Sequence, residues 1–233
     1  MDYIKDKSVI VTGISKGIGA GLCGQLLERG AKVIGWGLHT PAYSNPSLHF
    51  IQCDISREEE TILAAAATRE ITSHIDFVIN NAGLGIFRQV ENLQTDQFMK
   101  MFMVNVAGAF YVTRQFAGSM KARGSGHIIN ISSIAGRVGA PWGSGYNTSK
   151  FALSGFSESL FHELRQSGIK VTTVYPGATR TEFFNQIEGG GGNPDFMLDP
   201  ADVAATVVHL MDTPPNYLVR EIEIRPLNSK KNQ

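Results

Sequence analysis

The sequence has little that would tie the chain to nucleic acid, a membrane or a metal. Its 21 basic and 21 acidic residues cancel, so no basic excess points to nucleic acid or an anionic surface as a partner. No apolar run approaches the roughly 20 residues that span a bilayer. The N-terminus, MDYIKDKSVIVTG, passes from charged residues straight into a short strand pattern. It lacks the apolar stretch and small-residue cleavage site of a signal peptide. Only two cysteines are present, Cys23 and Cys53, far apart and in no CxxC, which reads as reduced thiols. Together these absences predict a soluble, cytoplasmic protein. The six histidines have no metal-ligand spacing, and His162-Glu163 lacks the second histidine of HExxH, so no catalytic metal is expected.

What is present is an alternation. Among 233 residues, 42% of them hydrophobic, short β-branched runs take turns with longer helical patterns, enough for one domain with a filled core. Strands are predicted at residues 8–12, 32–36, 49–52, 77–80, 127–132, 170–175 and 221–225. Helices are predicted at 18–29, 56–72, 95–123 with a break near Gly108, 146–167 and 200–212. Ser56 is expected to cap the second helix, with Glu59 completing a capping box. This order predicts an α/β, three-layer, Rossmann-like doubly wound parallel sheet in a single domain spanning residues 1–233. EGGGGN at 188–193 reads either as a surface loop or as part of a flexible substrate flap over 186–198.

The first strand runs into Thr12-Gly13-Ile14-Ser15-Lys16-Gly17-Ile18-Gly19 and then a helix. Glycines let backbone approach a diphosphate, and the helix start offers N–H groups and a positive dipole end. Strand before and helix after point to a nucleotide. An NAD site of this kind usually carries an acid about 20 residues further on. Here the corresponding stretch is Trp36-Gly37-Leu38-His39, without a carboxylate. Lys16 could face a 2′-phosphate, with His39 beside it, which favours NADP over NAD.

Three more stretches fall where such a sheet binds ligands, at the carboxyl ends of its strands: Asn80-Asn81-Ala82-Gly83, Ser132-Ser133, and Tyr146 with Lys150 one helical turn on. A free phenol has a pKa of about 10. A nearby ammonium favours its phenolate, and a bound nicotinamide's positive charge would do so further. Tyr146 is then a usable proton donor to a carbonyl oxygen, and Ser133 a hydrogen-bond donor to the same oxygen. Taken alone, a Tyr-x-x-x-Lys pair is ordinary on a helix surface; the combination carries the reading.

TGISKGIG, NNAG, a serine thirteen residues before YNTSK, and Pro176-Gly177 after a late strand resemble the short-chain dehydrogenase/reductase family over nearly the whole chain. The resemblance implies roles. Tyr146 is the general acid–base, Ser133 holds the substrate oxygen, and Lys150 lowers the tyrosine pKa and holds the nicotinamide ribose. Asn105 resembles the asparagine that anchors a water in a proton relay. Gly13, Ser15, Lys16, Gly17, Ile18 and Gly19 line the diphosphate. Asp54 and Ile55 lie near the adenine, and Asn81, Ala82 and Gly83 beside the adenosine ribose. Pro176, Gly177 and Thr181 cap the nicotinamide. Leu38 stands where many NADP-dependent members have arginine. The family also implies a homodimer or homotetramer, the dimer using the helices at 95–123 and 146–167.

The expected activity is therefore NAD(P)H-dependent interconversion of a ketone and a secondary alcohol, of the EC 1.1.1.- type, on a small carbonyl or alcohol substrate. Trp142, Phe183, Phe184, Phe196 and Met197 suggest an apolar pocket, whereas Phe151, Phe156, Leu160 and Leu164 read as core or dimer seam. Arg137 and Arg180 read as solvated. Two alternatives stand beside this: a dinucleotide-binding regulator or scaffold without turnover, and an isomerase or dehydratase on the same scaffold.

Overall fold

The computed structural model describes residues 2–183 and 194–227. Seven strands form one parallel sheet in the order β3-β2-β1-β4-β5-β6-β7. They are β1 Ser8–Thr12, β2 Lys32–Gly37, β3 Leu48–Gln52, β4 Phe77–Asn80, β5 Gly126–Ile131, β6 Ile169–Pro176 and β7 Glu221–Ile224. The helices are α1 Gly17–Glu28, α2 Glu58–Ile71, α3 Thr95–Phe102, α4 Gly108–Arg123, α5 Ser144–Leu164 and α6 Pro200–Met211. None of these described helices is long and apolar enough to cross a membrane.

Strand periodicity makes the three layers. In β1, Val9 and Val11 join a core with Leu22 and Leu26 of α1 and Val207 of α6. Ile10, between them, points to the other face and joins Ala65 of α2, Val112 of α4 and Leu160 of α5. Successive side chains of a strand face opposite ways, so a strand covered on both sides is largely apolar with its few polar groups hydrogen-bonded, and SVIVT is buried at every position. Strand order reverses between β2-β1 and β1-β4. That switch opens a crevice beyond the carboxyl end of β1, the usual ligand position in this architecture.

Beyond one-residue shifts at several strand and helix ends, three features differ from the sequence expectations. Ser56 does not cap α2. Its N–H and hydroxyl both bond Asp54 Oδ1, at 3.0 and 2.7 Å, and the helix begins two residues later with Arg57 at its cap. An aspartate two residues back offers a turn that competes with the helix for serine. The break expected near Gly108 is a π-helical turn at Met103–Ala107, joining α3 to α4. Finally, α5 begins at Ser144, so Tyr146 lies inside its first turn. Gly145 permits this, because a Cβ there would come within 2.4 Å of Met101 Cε.

Buried polar groups stitch the sheet to the helices behind the site. Asn80 Nδ2 donates to Asn130 Oδ1 at 2.8 Å and to Thr113 Oγ1 at 3.0 Å, while Asn130 Nδ2 donates to Ser157 Oγ at 2.7 Å. β4 and β5 are thereby tied to α4 and α5, the latter carrying Tyr146 and Lys150.

Candidate active site

The turn after β1 is built for close approach. Gly13 and Gly17 hold φ of +73° and +58°, left-handed values that glycine adopts without the strain a side chain brings. A Cβ on Gly19 would lie 2.0 Å from the Gly13 carbonyl oxygen. Lys16 caps α1 with extended backbone and no side-chain hydrogen bond to the helix, and the first turn carries no acid. The leading N–H groups are thus left to an anionic ligand. These features fit the diphosphate of a dinucleotide.

The NNAG segment clamps the turn from behind. Thr12 Oγ1 accepts from the N–H groups of Asn81 at 3.0 Å and Ala82 at 2.9 Å. Asn81 Nδ2 donates back to the carbonyls of Thr12 at 2.8 Å and Gly13 at 3.2 Å. Gly83 lies between two further site residues: a Cβ on it would be 3.3 Å from Asn105 Oδ1 and 3.6 Å from Lys150 Nζ. Asn105, buried within the π turn, accepts from Leu84 N–H at 2.8 Å and donates to Leu84 O and Ser149 Oγ, both at 2.8 Å.

Ser133, Tyr146 and Lys150 converge beyond β5. Ser133 Oγ accepts from Ala135 N–H at 3.1 Å and reaches Pro176 O at 3.5 Å. Burial pushes the Tyr146 phenol up to about 12, against a partial offset from its hydrogen bond with Ser133. Burial pulls the Lys150 ammonium down from 10.5 to about 8. Lys150 Nζ sits 5.9 Å from the Tyr146 ring centroid. The expectation that the ammonium lowers the phenol's pKa is therefore corrected for the protein without cofactor. Removing the phenolate from water is the larger cause, and the hydrogen bond with Ser133 is what partly offsets it.

Aromatic rings close over the phenol. Phe87 and Phe183 stand 5.2 and 5.3 Å from the Tyr146 ring centroid, and 6.2 Å from each other. Gly85 makes room, since a Cβ there would meet Phe183 Cζ at 2.3 Å. Phe87 escaped sequence reasoning; its signal was its position four residues past NNAG, on the loop leaving β4. Trp142 is half exposed, with φ of +61°, and Phe196 and Met197 are partly buried. Phe184, and residues 186–193 of the expected flap, lie outside the described residues. At the end of that flap Leu198 is anchored: its N–H donates to Ala178 O, and Arg180 N–H donates to Leu198 O, both at 2.8 Å.

Other expected residues take ordinary positions. Ser15 is partly buried in the turn, and Ile18, in the first turn of α1, packs on the core. Asp54 is occupied by Ser56, and the Ile55 side chain packs where a Cβ on Gly108 would clash. Gly177 N–H bonds Ile224 O at 2.7 Å, and the Thr181 methyl lies 3.0 Å from where a Cβ on Gly17 would stand. Leu160 and Leu164 are core, while Phe151 is exposed. Arg137 and Arg180 are exposed to solvent, as expected, and each also carries an ion pair. Arg137 bonds Glu221 and lies 4.0 Å from the Tyr175 ring centroid, and Arg180 bonds Asp199.

Comparison with known proteins agrees with this geometry. The family model described as short chain dehydrogenase matches residues 7–190. A farnesol dehydrogenase of Aedes aegypti is 33% identical over 250 residues, covering 99% of this chain and all of the relative. Dehydrogenase/reductase SDR family member 11 of Bos taurus is also 33% identical, covering 97% and 98% of the two chains. Among solved structures, the closed form of a serine dehydrogenase complexed with NADP+ superposes with a TM-score of 0.90. It is 26% identical and covers 97% of each chain.

Proposed function

The chain belongs to the short-chain dehydrogenase family, and on that premise we propose that it is an NADP-preferring oxidoreductase that interconverts an apolar-flanked ketone and its secondary alcohol. A bound nicotinamide supplies or accepts the hydride. Tyr146 passes the proton to or from the substrate oxygen, and Ser133 Oγ donates a hydrogen bond to that oxygen as charge develops on it. Lys150 holds its ammonium inside the protein one turn from the phenol, where it favours the phenolate during turnover. The observation that carries this reading is the convergence of Ser133, Tyr146 and Lys150, which the Asn81–Gly83 segment connects to the glycine turn.

Phe87 and Phe183, packed on Tyr146, supply the apolar lining, and the relative named farnesol dehydrogenase agrees with an apolar alcohol. Lys16 is the residue we assign to a 2′-phosphate, and the NADP+ of the serine dehydrogenase structure supports that cofactor. Phe110 and Phe151, exposed on α4 and α5, support a homodimer through those helices.

The test is NADPH oxidation with a panel of apolar ketones. Wild type is expected to turn over at least one, and Tyr146→Phe to lose at least 100-fold, the scale of general acid–base catalysis. Equal rates in the two proteins would remove Tyr146 as the acid.

A further inference from the structure

Lys16 is not idle in the structure. Its ammonium bonds Glu182 Oε2 at 2.6 Å, across 166 residues of sequence, with both side chains more than half exposed. Glu182 sits in a run of three residues that reach three parts of the site. Thr181 covers Gly17, Glu182 holds Lys16, and Phe183 packs on the ring of Tyr146.

We propose that Glu182 is a specificity-determining residue for the cofactor, a carboxylate that occupies the same ammonium a 2′-phosphate would use. The inference rests on the reading that Lys16 meets that phosphate. One ammonium then serves two anions. A phosphate monoester carries close to two negative charges near neutral pH, a carboxylate one, and an exposed ion pair is held only weakly. The phosphate therefore wins Lys16 but does so against Glu182, which stays nearby as a like charge. A cofactor without the phosphate leaves the pair intact. NADPH thus exchanges one anion for another at Lys16 and releases the residue next to Phe183, whereas NADH does neither. Glu182 narrows the preference that Lys16 creates.

The experiment is a set of four proteins, wild type, Glu182→Gln, Lys16→Ala and the double variant, titrated with NADPH and NADH at low salt. Both side chains are exposed, so unchanged melting temperatures are expected and serve as the folding control. Glu182→Gln should tighten NADPH about threefold and leave NADH unchanged. The gain should shrink with added salt and vanish in the Lys16→Ala background. Equal changes for both cofactors, no change for either, or a gain that persists without Lys16 would overturn the proposal. Should Lys16→Ala weaken NADPH and NADH equally, the phosphate reading itself fails and the proposal falls with it. Should Lys16→Ala discriminate while Glu182→Gln is inert, only the role of Glu182 fails.

Discussion

The ammonium of Lys150 donates to the carbonyl oxygen of Ile131 at 2.9 Å from a position 4% exposed to solvent. A charge held there opposes folding, because burial lowers its pKa from 10.5 to about 8. Below pH 8 the group is protonated folded and unfolded, and the full cost is present. Between about 8 and 10.5 only the unfolded chain keeps the proton, so stability rises with pH. The cost reaches at most roughly 3 kcal/mol, set against about 1 kcal/mol for leaving the Ile131 carbonyl without its donor. Lys150→Met is expected to stabilise the protein at pH 7 by about 1–2 kcal/mol while abolishing the proposed ketone reduction. Urea unfolding at pH 7 and pH 10 checks it: the advantage should fall at the higher pH. A variant less stable at pH 7 would show that the ammonium supports the fold.

The centre of the sheet was legible because its strands are largely apolar on both faces, and SVIVT or HIIN admits few other readings; the edge strand EIEI was legible from its alternation instead. The site was legible where the chemistry is local in sequence: TGISKGIG is a turn by composition, and Tyr146 and Lys150 share a face by spacing. Long-range contacts were not. Nothing in Phe87 announces that it packs on Tyr146, because that contact depends on where the loop after β4 returns. Glu182 gives no sign that it reaches Lys16. The direction of the Tyr146 shift was misread for a related reason. A sequence places the lysine one turn away but not the depth at which both groups lie, and depth decided the outcome. The cap of α2 failed more simply, since Asp54 claimed Ser56 first.

Gly19→Ala tests the glycine turn by steric means. The added Cβ would stand 2.0 Å from Gly13 O and 2.6 Å from Asn81 Nδ2, both parts of the clamp behind the turn. The backbone must shift, at a cost of about 1–3 kcal/mol. Cofactor affinity should fall at least tenfold, measured by fluorescence titration, and the melting temperature should drop. An unchanged dissociation constant would mean that the turn does not line the cofactor.

Asn105→Ala removes three hydrogen bonds at once. Leu84 loses partners for both its N–H and its carbonyl, and Ser149 Oγ loses a donor. Leaving such groups unpaired costs roughly 1–3 kcal/mol each when burial is complete; Leu84 is only partly buried, so a total of about 2–4 kcal/mol is expected by urea unfolding. The segment from Gly83 to Leu84 borders Lys150, so kcat should fall with it. An unchanged urea midpoint in Asn105→Ala would show that these three bonds are not what holds the Leu84 segment.

Tyr146 can be followed directly by the absorbance of its phenolate, taken as the difference between wild type and Tyr146→Phe along a pH titration. Without cofactor the phenol should stay protonated past pH 10, since burial raises it to about 12. Two changes then act in opposite senses. A bound NADP+ excludes more water, which raises the value further, but it also brings the cationic pyridinium beside the ring, which favours the phenolate. A full charge in a poorly solvated site acts more strongly than in water, so the net shift on adding NADP+ should be downward, and NADPH, whose ring is neutral, should not reproduce it. The contrast between the two cofactors isolates the ring charge, because the rest of the molecule is the same. A phenolate that forms at pH 9 without any cofactor, below the free phenol's value of about 10, would show that the Lys150 ammonium outweighs burial, and identical curves for NADP+ and NADPH would leave its activation to some other charge.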